Sequence, residues 1–161
     1  MARLTKSIFI TRKKLEQLQA DLGRIKGTNT GLAEELRTEF ATGTFHDNAP
    51  WEVLRDQQSG INGQIEEIGA IVANHTIIDD LDIDESVVGI GTIVTFKNMP
   101  EGTFETFTIL GPYDSEPCGG IISHMAPLIQ PLMGKRVGFE GTFQLKKMLI
   151  VDIKRWKEES K

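Results

Sequence analysis

Cysteine is nearly absent from this chain of 161 residues: Cys118 is alone. That excludes an internal disulfide and a thiolate metal cluster, and leaves Cys118 as a reduced loop or core thiol. Long apolar runs are absent too. None approaches the roughly 20 residues that cross a bilayer. The N-terminal Met1–Lys6 leads only into Ile8–Ile10, short of the apolar core of about 7–15 residues that a secretory signal carries. The expectation is a cytoplasmic protein with no membrane association. An excess of positive charge is also missing. Eighteen Lys and Arg face 23 Asp and Glu, a formal net charge of -5. A protein gripping bare nucleic acid as its chief source of affinity is usually basic. The balance excludes that role but admits a protein partner that itself carries nucleic acid. With 39% hydrophobic and 25% charged residues, the composition is that of a folded soluble protein.

What is present falls into two halves with different periods. Leu15, Leu18, Leu22 and Ile25 recur at helical steps, and Leu32, Leu36 and Phe40 resume the stripe. Between them Gly27-Thr28-Asn29-Thr30-Gly31 weakens helix propensity, predicting a break or a strained helical passage. Thr11 is placed to cap this arm. In the second arm Leu54, Gln58, Ile61, Ile65, Ile68, Val72 and His75 alternate steps of four and three, one seam of a coiled coil, with His75 as a packed histidine. Gly60, Gly63 and Gly69 cost helical stability that packing must restore. Between the arms, Gly43 suits a helix end, Asn48 a helix cap and Pro50 a first turn. The prediction is an antiparallel helical hairpin over 1–78 with its tip at 43–51, on the order of 40 Å long from arms of about 25–30 residues.

Asp79-Asp80-Leu81-Asp82-Ile83-Asp84-Glu85 follows the hairpin. Its spacing does not match a calcium loop with its internal glycine and terminal glutamate, so 79–86 reads as a solvated acidic linker. Residues 87–161 change to strand chemistry. Val87–Phe96, Thr103–Leu110, Lys135–Phe143 and Leu145–Ile153 are candidate strands, the first two separated by the turn Asn98–Gly102. Ala126–Met133 is a candidate short helix interrupted by Pro131. The predicted class is α+β, a helical hairpin followed by a small sheet domain with a short helix.

Ile10-Thr11-Arg12-Lys13-Lys14-Leu15-Glu16-Gln17-Leu18, the tip Gly43-Thr44-Phe45-His46-Asp47-Asn48-Ala49-Pro50-Trp51, Arg55-Asp56-Gln57-Gln58, Thr76-Ile77-Ile78-Asp79, Ile122–Leu128 and Leu132–Lys135 together resemble the bacterial Gre transcription elongation factors, in order and spacing along nearly the whole chain. The resemblance implies an antiparallel coiled coil and a C-terminal domain similar to FK506-binding proteins. It implies a monomer that is not itself an enzyme. Its partner is RNA polymerase: the C-terminal domain docks near the secondary channel, the hairpin reaches the active centre, and the polymerase's own cleavage of backtracked RNA at the nascent 3′ end is stimulated. In the family the tip lends acidic ligands to a second Mg²⁺ held jointly with the polymerase. Phosphodiester hydrolysis gains from two metals, and Mg²⁺ accepts one or two carboxylates completed by water and phosphate.

The same comparison assigns residues. Asp47 stands for the family's Glu and is the remaining weak Mg²⁺ ligand; Thr44 stands where the family has Asp, and Pro50 where it has a second Glu. Phe45, His46, Asn48, Trp51, Glu52 and Arg55 are candidate tip contacts, with packing at the hairpin end the favoured alternative for Phe45 and Trp51. Glu39 and Glu52 are the acids near enough in sequence to compensate for Thr44. Ser123, Pro127 and Lys135 are candidate docking residues, with Ala126 replacing the family's serine before proline. The tip leaves two outcomes open: a cleavage factor, or a channel binder without cleavage activity that modulates or inhibits transcription. A peptidyl-prolyl isomerase is disfavoured because a fold alone confers no function. A coiled-coil chaperone is disfavoured by the short asymmetric hairpin and its tip.

Overall fold

The computed structural model describes residues 7–41 and 49–158. They form two compact units. One comprises Leu15–Asn74; the other joins the N-terminal segment ending at Lys14 to the chain from His75 onward. This division differs from a hairpin over 1–78 followed by a linker, because the N-terminal strand and residues 75–86 fold with the sheet. The predicted α+β class holds. Among the described residues, no helix is long and apolar enough to cross a membrane.

The helical unit is built from α1 (Arg12–Ala41), whose first turn belongs to the other unit, and α2 (Ala49–Ala73). At about 1.5 Å per residue the two helices measure roughly 45 and 38 Å. Residues 27–31 do not break α1. The Thr28 and Thr30 hydroxyls donate to the carbonyls of Arg24 and Lys26, at 3.2 and 3.1 Å, so the polar side chains are satisfied within the helix. Asn29 takes the seam position one turn after Ile25, where the stripe would otherwise carry an apolar residue. Ile25, Asn29, Leu32 and Leu36 are the sheltered positions of this stretch, and Asn29 Nδ2 donates to Asn62 Oδ1 at 3.2 Å. These two asparagines lie thirteen and fourteen residues from the segment 42–48 (42 − 29 and 62 − 48), the pairing expected of antiparallel helices. On α2 the sheltered positions are Leu54, Gln58, Ile61, Ile65, Ile68 and Val72, the predicted heptad, with Ile71 buried beside them. Phe40 leaves the stripe and is 64% exposed. The helix also stops before His75. Asn74 N–H closes on the carbonyls of Ala70 and Ile71, and the β-branched run after it forms a strand.

The sheet unit begins with β1 (Ile8–Ile10), which pairs in parallel with β2 (His75–Ile77), Ile10 opposite Ile77. Its main sheet has five strands in the order β5-β4-β3-β7-β6: β3 Thr92–Met99, β4 Phe104–Leu110, β5 Ile121–Ser123, β6 Glu140–Phe143 and β7 Lys146–Arg155. Val94, Phe96, Ile109, Phe143, Met148, Ile150 and Ile153 form the core with Ile129 and Leu132. Phe96 and Phe143 stack with centroids 5.5 Å apart, and Phe107 closes the cluster. A strand has period two, yet both Ile150 and Ile153 face this core. A bulge between Thr95 and Phe96 in the β3–β7 register absorbs the odd residue.

Three predicted elements are shorter than expected. Strand β3 starts at Thr92, not Val87: the Thr92 hydroxyl bonds Gly89 O at 2.6 Å, and Gly91 turns the chain with φ +78 against Ile83. Residues 135–139 are turn, with Phe139 N–H on Arg136 O and Gly138 at φ +91, so the strand there is only β6. The helix expected over 126–133 is reduced to a 3-10 turn at Gln130–Leu132, since Pro131 lacks the N–H a longer helix needs. Short β5 carries only three residues.

Candidate functional site

The hairpin end is carried by the last turn of α1 and the first turn of α2. Glu39 and Phe40 occupy the former and Glu52 the latter, with Arg55 one turn further along α2, and all four are exposed. Thr44, Phe45, His46, Asp47 and Asn48 lie outside the described residues. Trp51 is in the opening turn of α2 by its backbone, as is Pro50, which suits a first helical turn. Helix α2 starts at Ala49, so Asn48 precedes it directly in sequence, and Glu52 supplies an acid to its first turn, where the helix dipole favours negative charge.

In the sheet unit the candidate docking residues run from Ser123, the last residue of β5, into the turns that follow it. Ser123 pairs with Leu110, and its Oγ accepts the Met125 N–H at 3.2 Å. Its carbonyl accepts Ala126 N–H at 3.0 Å, and Gln130 Nε2 ties back to His124 O at 2.7 Å. This bracing holds an outward loop on which Met125 is 55% exposed and Pro127 and Leu128 are also exposed. Ala126 needs no hydroxyl for this geometry, because its backbone makes the turn. Lys135 sits on the following turn. Its N–H bonds Leu132 O at 3.0 Å and its ammonium lies 4.9 Å from the centre of the Phe139 ring, which orients the cation while leaving it exposed.

A third arrangement was not legible in the sequence. Thr11 caps α1 as predicted, accepting the Lys14 N–H at 3.3 Å. Its own N–H and hydroxyl donate to the Asp114 carboxylate at 2.9 and 2.5 Å. Burial raises the Asp114 pKa above the ordinary carboxylate value, and the Thr11 hydrogen bonds act against that rise. Asp79 accepts the Arg12 N–H at 2.8 Å, and Asp80 pairs with the Arg12 guanidinium at 2.6 Å. The start of the acidic run is therefore anchored to α1, although Asp80 stays exposed to solvent. Asp79 serves as a negative group at the α1 N-terminus, where exposed donors and the helix dipole favour it. Gly111 permits the approach: a Cβ there would stand 1.9 Å from Phe9 O.

A long helical pair joined to a small curled sheet defines a two-part α+β protein whose exposed features are a helical turn and a braced loop. The family model for the C-terminal part of transcription elongation factors GreA/GreB matches residues 83–155. A transcription elongation factor GreA of Bacillus cereus (strain AH187) is 31% identical over 133 residues, covering 83% of each chain. One of Bacillus cytotoxicus is 29% identical over 140 residues, covering 86% of this chain and 89% of its own. The GreA factor homolog 1 (Gfh1) protein of Thermus thermophilus aligns over 92% of this chain and 99% of its own, with 18% identity and a TM-score of 0.46. The chain belongs to the GreA/GreB family.

Proposed function

We propose that the protein is a transcription elongation factor that binds RNA polymerase through the Ser123–Pro127 loop and Lys135, and stimulates the polymerase's cleavage of RNA in backtracked complexes. Membership of a family whose relatives are named transcription elongation factor GreA carries this reading. The helical unit supports it physically: two helices of 30 and 25 residues carry a connection of seven residues, 42–48, that a narrow channel can admit. The protein acts as an accessory factor, and the hydrolytic centre belongs to the polymerase.

The donor set of the chain fits a shared Mg²⁺. Asp47 offers one carboxylate in the connecting segment, Glu39 and Glu52 stand on the turns at either side, and a hard cation held mainly by phosphate and water needs no more from a partner. Bound there, such an ion would stabilise charge on the scissile phosphate. The contribution of this chain is to position Asp47. His46 beside it offers a second polar contact to phosphate or RNA.

Thr44 favours a second reading. A hydroxyl replaces the family's acid and Pro50 its later Glu, so a channel binder that regulates transcription without supporting cleavage follows if Asp47 alone is insufficient. Cleavage of labelled RNA in a stalled, backtracked polymerase complex separates the two. Shortened RNA that disappears with Asp47→Ala establishes the cleavage factor. Absent cleavage with competition against an active GreA for the polymerase establishes the second reading. Failure to bind polymerase at all refutes both.

A further inference from the structure

Midway along the helical unit, α1 loses its packing residues. Between Ile25 and Leu32 it carries six residues without an apolar side chain, Lys26 to Gly31. The sheltered position among them is Asn29. Its Nδ2 reaches Asn62 Oδ1 at 3.2 Å, while its own Oδ1 is buried without a partner among the described residues. A straight hairpin therefore shelters an acceptor that water would satisfy. The Thr28 and Thr30 hydroxyls donate to the carbonyls of Arg24 and Lys26. Such bonds share the acceptors of the helical ladder and favour bending.

Glycines gather at the same height on both helices. Counting from the Asn29–Asn62 contact, Gly31 stands two residues on and Gly60 two residues back, which makes them level in antiparallel helices. Gly27 and Gly63 lie two residues and one residue from the same contact. A Cβ added at any of the four meets nothing within 4 Å, so packing requires none of them. Each lowers the helix equilibrium about two- to fivefold relative to alanine. Gly23 and Gly69 also face open space, but beside them Leu22, Ile25 and Ile68 hold the seam. Among the described residues, the middle of the hairpin alone combines glycine on both helices, a missing apolar stripe and an orphaned acceptor.

We propose that Gly27–Gly31 and Gly60–Gly63 form a hinge across the helical unit, at which the outer segments, 32–41 and 49–59, bend together relative to 15–26 and 64–73. Bending opens the seam at Asn29 and lets water reach its Oδ1. Ten residues separate Gly31 from Ala41 (41 − 31), about 15 Å of helix. A bend of roughly 20° displaces the end of α1 by about 5 Å, which re-aims the connecting segment. The hinge is a property of the chain itself. Its use rests on the function proposed above: residues 42–48 shift inside a channel while the sheet unit stays docked.

Amide hydrogen exchange of the full chain, read as protection factors by NMR, tests this. Protection should pass through a minimum at residues 27–32 and 60–64, about tenfold or more below both flanks: 18–25 and 35–38 on α1, 54–58 and 66–72 on α2. Fraying from the helix ends gives instead a steady fall toward 42–48. N–H residual dipolar couplings should fit two separately oriented segments on either side of the minimum. A variant combining Gly27→Ala, Gly31→Ala, Gly60→Ala, Gly63→Ala and Asn29→Leu should lose the minimum. A control with Gly23→Ala and Gly69→Ala strengthens the helices elsewhere and should keep it. A steady profile in the natural chain overturns the proposal, as do couplings that fit one straight hairpin. So does a minimum that survives the five substitutions, or one that the control abolishes. None of these readouts involves polymerase, so failure of the hinge is distinct from a failure to bind polymerase or support cleavage.

Discussion

Asp114 and Thr11 stand 103 residues apart in sequence, yet one carboxylate takes both the backbone N–H and the hydroxyl of Thr11. The same hydroxyl accepts a hydrogen bond from the first turn of α1. Thr11 is thus helix cap and tertiary anchor at once. Thr11→Ala removes the cap and the hydroxyl's hold on Asp114 but keeps the backbone N–H bond, leaving the half-buried carboxylate with one donor fewer. The expected loss is about 1–3 kcal/mol, read as a lowered midpoint in urea denaturation. Thr11→Ser, which keeps the hydroxyl, should retain most of the stability.

The titration of Asp114 gives a second outcome. Burial raises its folded-state pKa above 3.8. The folded chain then holds this proton more tightly than the unfolded one, so the stability contribution of Asp114 declines as pH rises from the unfolded value through the folded pKa, and is constant above it. A carboxyl-carbon NMR titration should place the midpoint above 3.8. In Thr11→Ala it should move higher still, because the opposing hydroxyl bond is gone. A midpoint at or below the ordinary value would contradict the burial argument.

Gly27 and Gly63 sit within α1 and α2, and a Cβ added at either meets nothing within 4 Å. Neither is needed for close helix approach. Gly27→Ala and Gly63→Ala should each stabilise the helical unit by roughly 0.5–1 kcal/mol, visible as a higher thermal midpoint of the helical circular dichroism signal.

Asn29 occupies a seam position with its Oδ1 buried and unpartnered while its Nδ2 reaches Asn62. Asn29→Leu replaces a costly acceptor with apolar surface. It should raise hairpin stability by about 1–3 kcal/mol in denaturant titration. A polar seam residue also fixes register. Crosslinking between cysteines placed at Thr30 and Gly63 should therefore become less selective for neighbouring positions when Asn29→Leu is also present.

At the tip, Thr44→Asp restores a carboxylate in place of a hydroxyl. If the chain supports cleavage, the rate in backtracked complexes should rise about ten- to a hundredfold, the equivalent of one charge-assisted contact of roughly 1.5–3 kcal/mol. An unchanged rate would show that position 44 lies away from the reacting phosphate.

The periodic parts of this fold were readable because they follow one-dimensional rules. The α2 heptad, the Thr11 cap and the strands at 104–110 and 146–155 follow from spacing and residue type. Three features depended on partners far along the chain. Asp79 and Asp80 read as solvent-facing acids, because Arg12 and the α1 N-terminus are invisible to local composition. Strand β1 is three residues long and acquires meaning only opposite β2. Asn29 interrupted an apolar stripe, and only the opposing Asn62 shows that the helix tolerates it. For the site, Pro127 and Lys135 lie on exposed turns and Ser123 ends β5, half-buried, whereas Thr44 and Asp47 fall in the segment outside the described residues.

The strand ahead of α1 folds with segments that are synthesised after both helices. As the chain leaves the ribosome, Ile8–Ile10 must wait for His75–Ile77, and Thr11 for Asp114, while the helical unit Leu15–Asn74 between them has already been synthesised in full. Assembly of the sheet unit is thus completed from both ends of the message, and trimming the first ten residues would injure the domain encoded last.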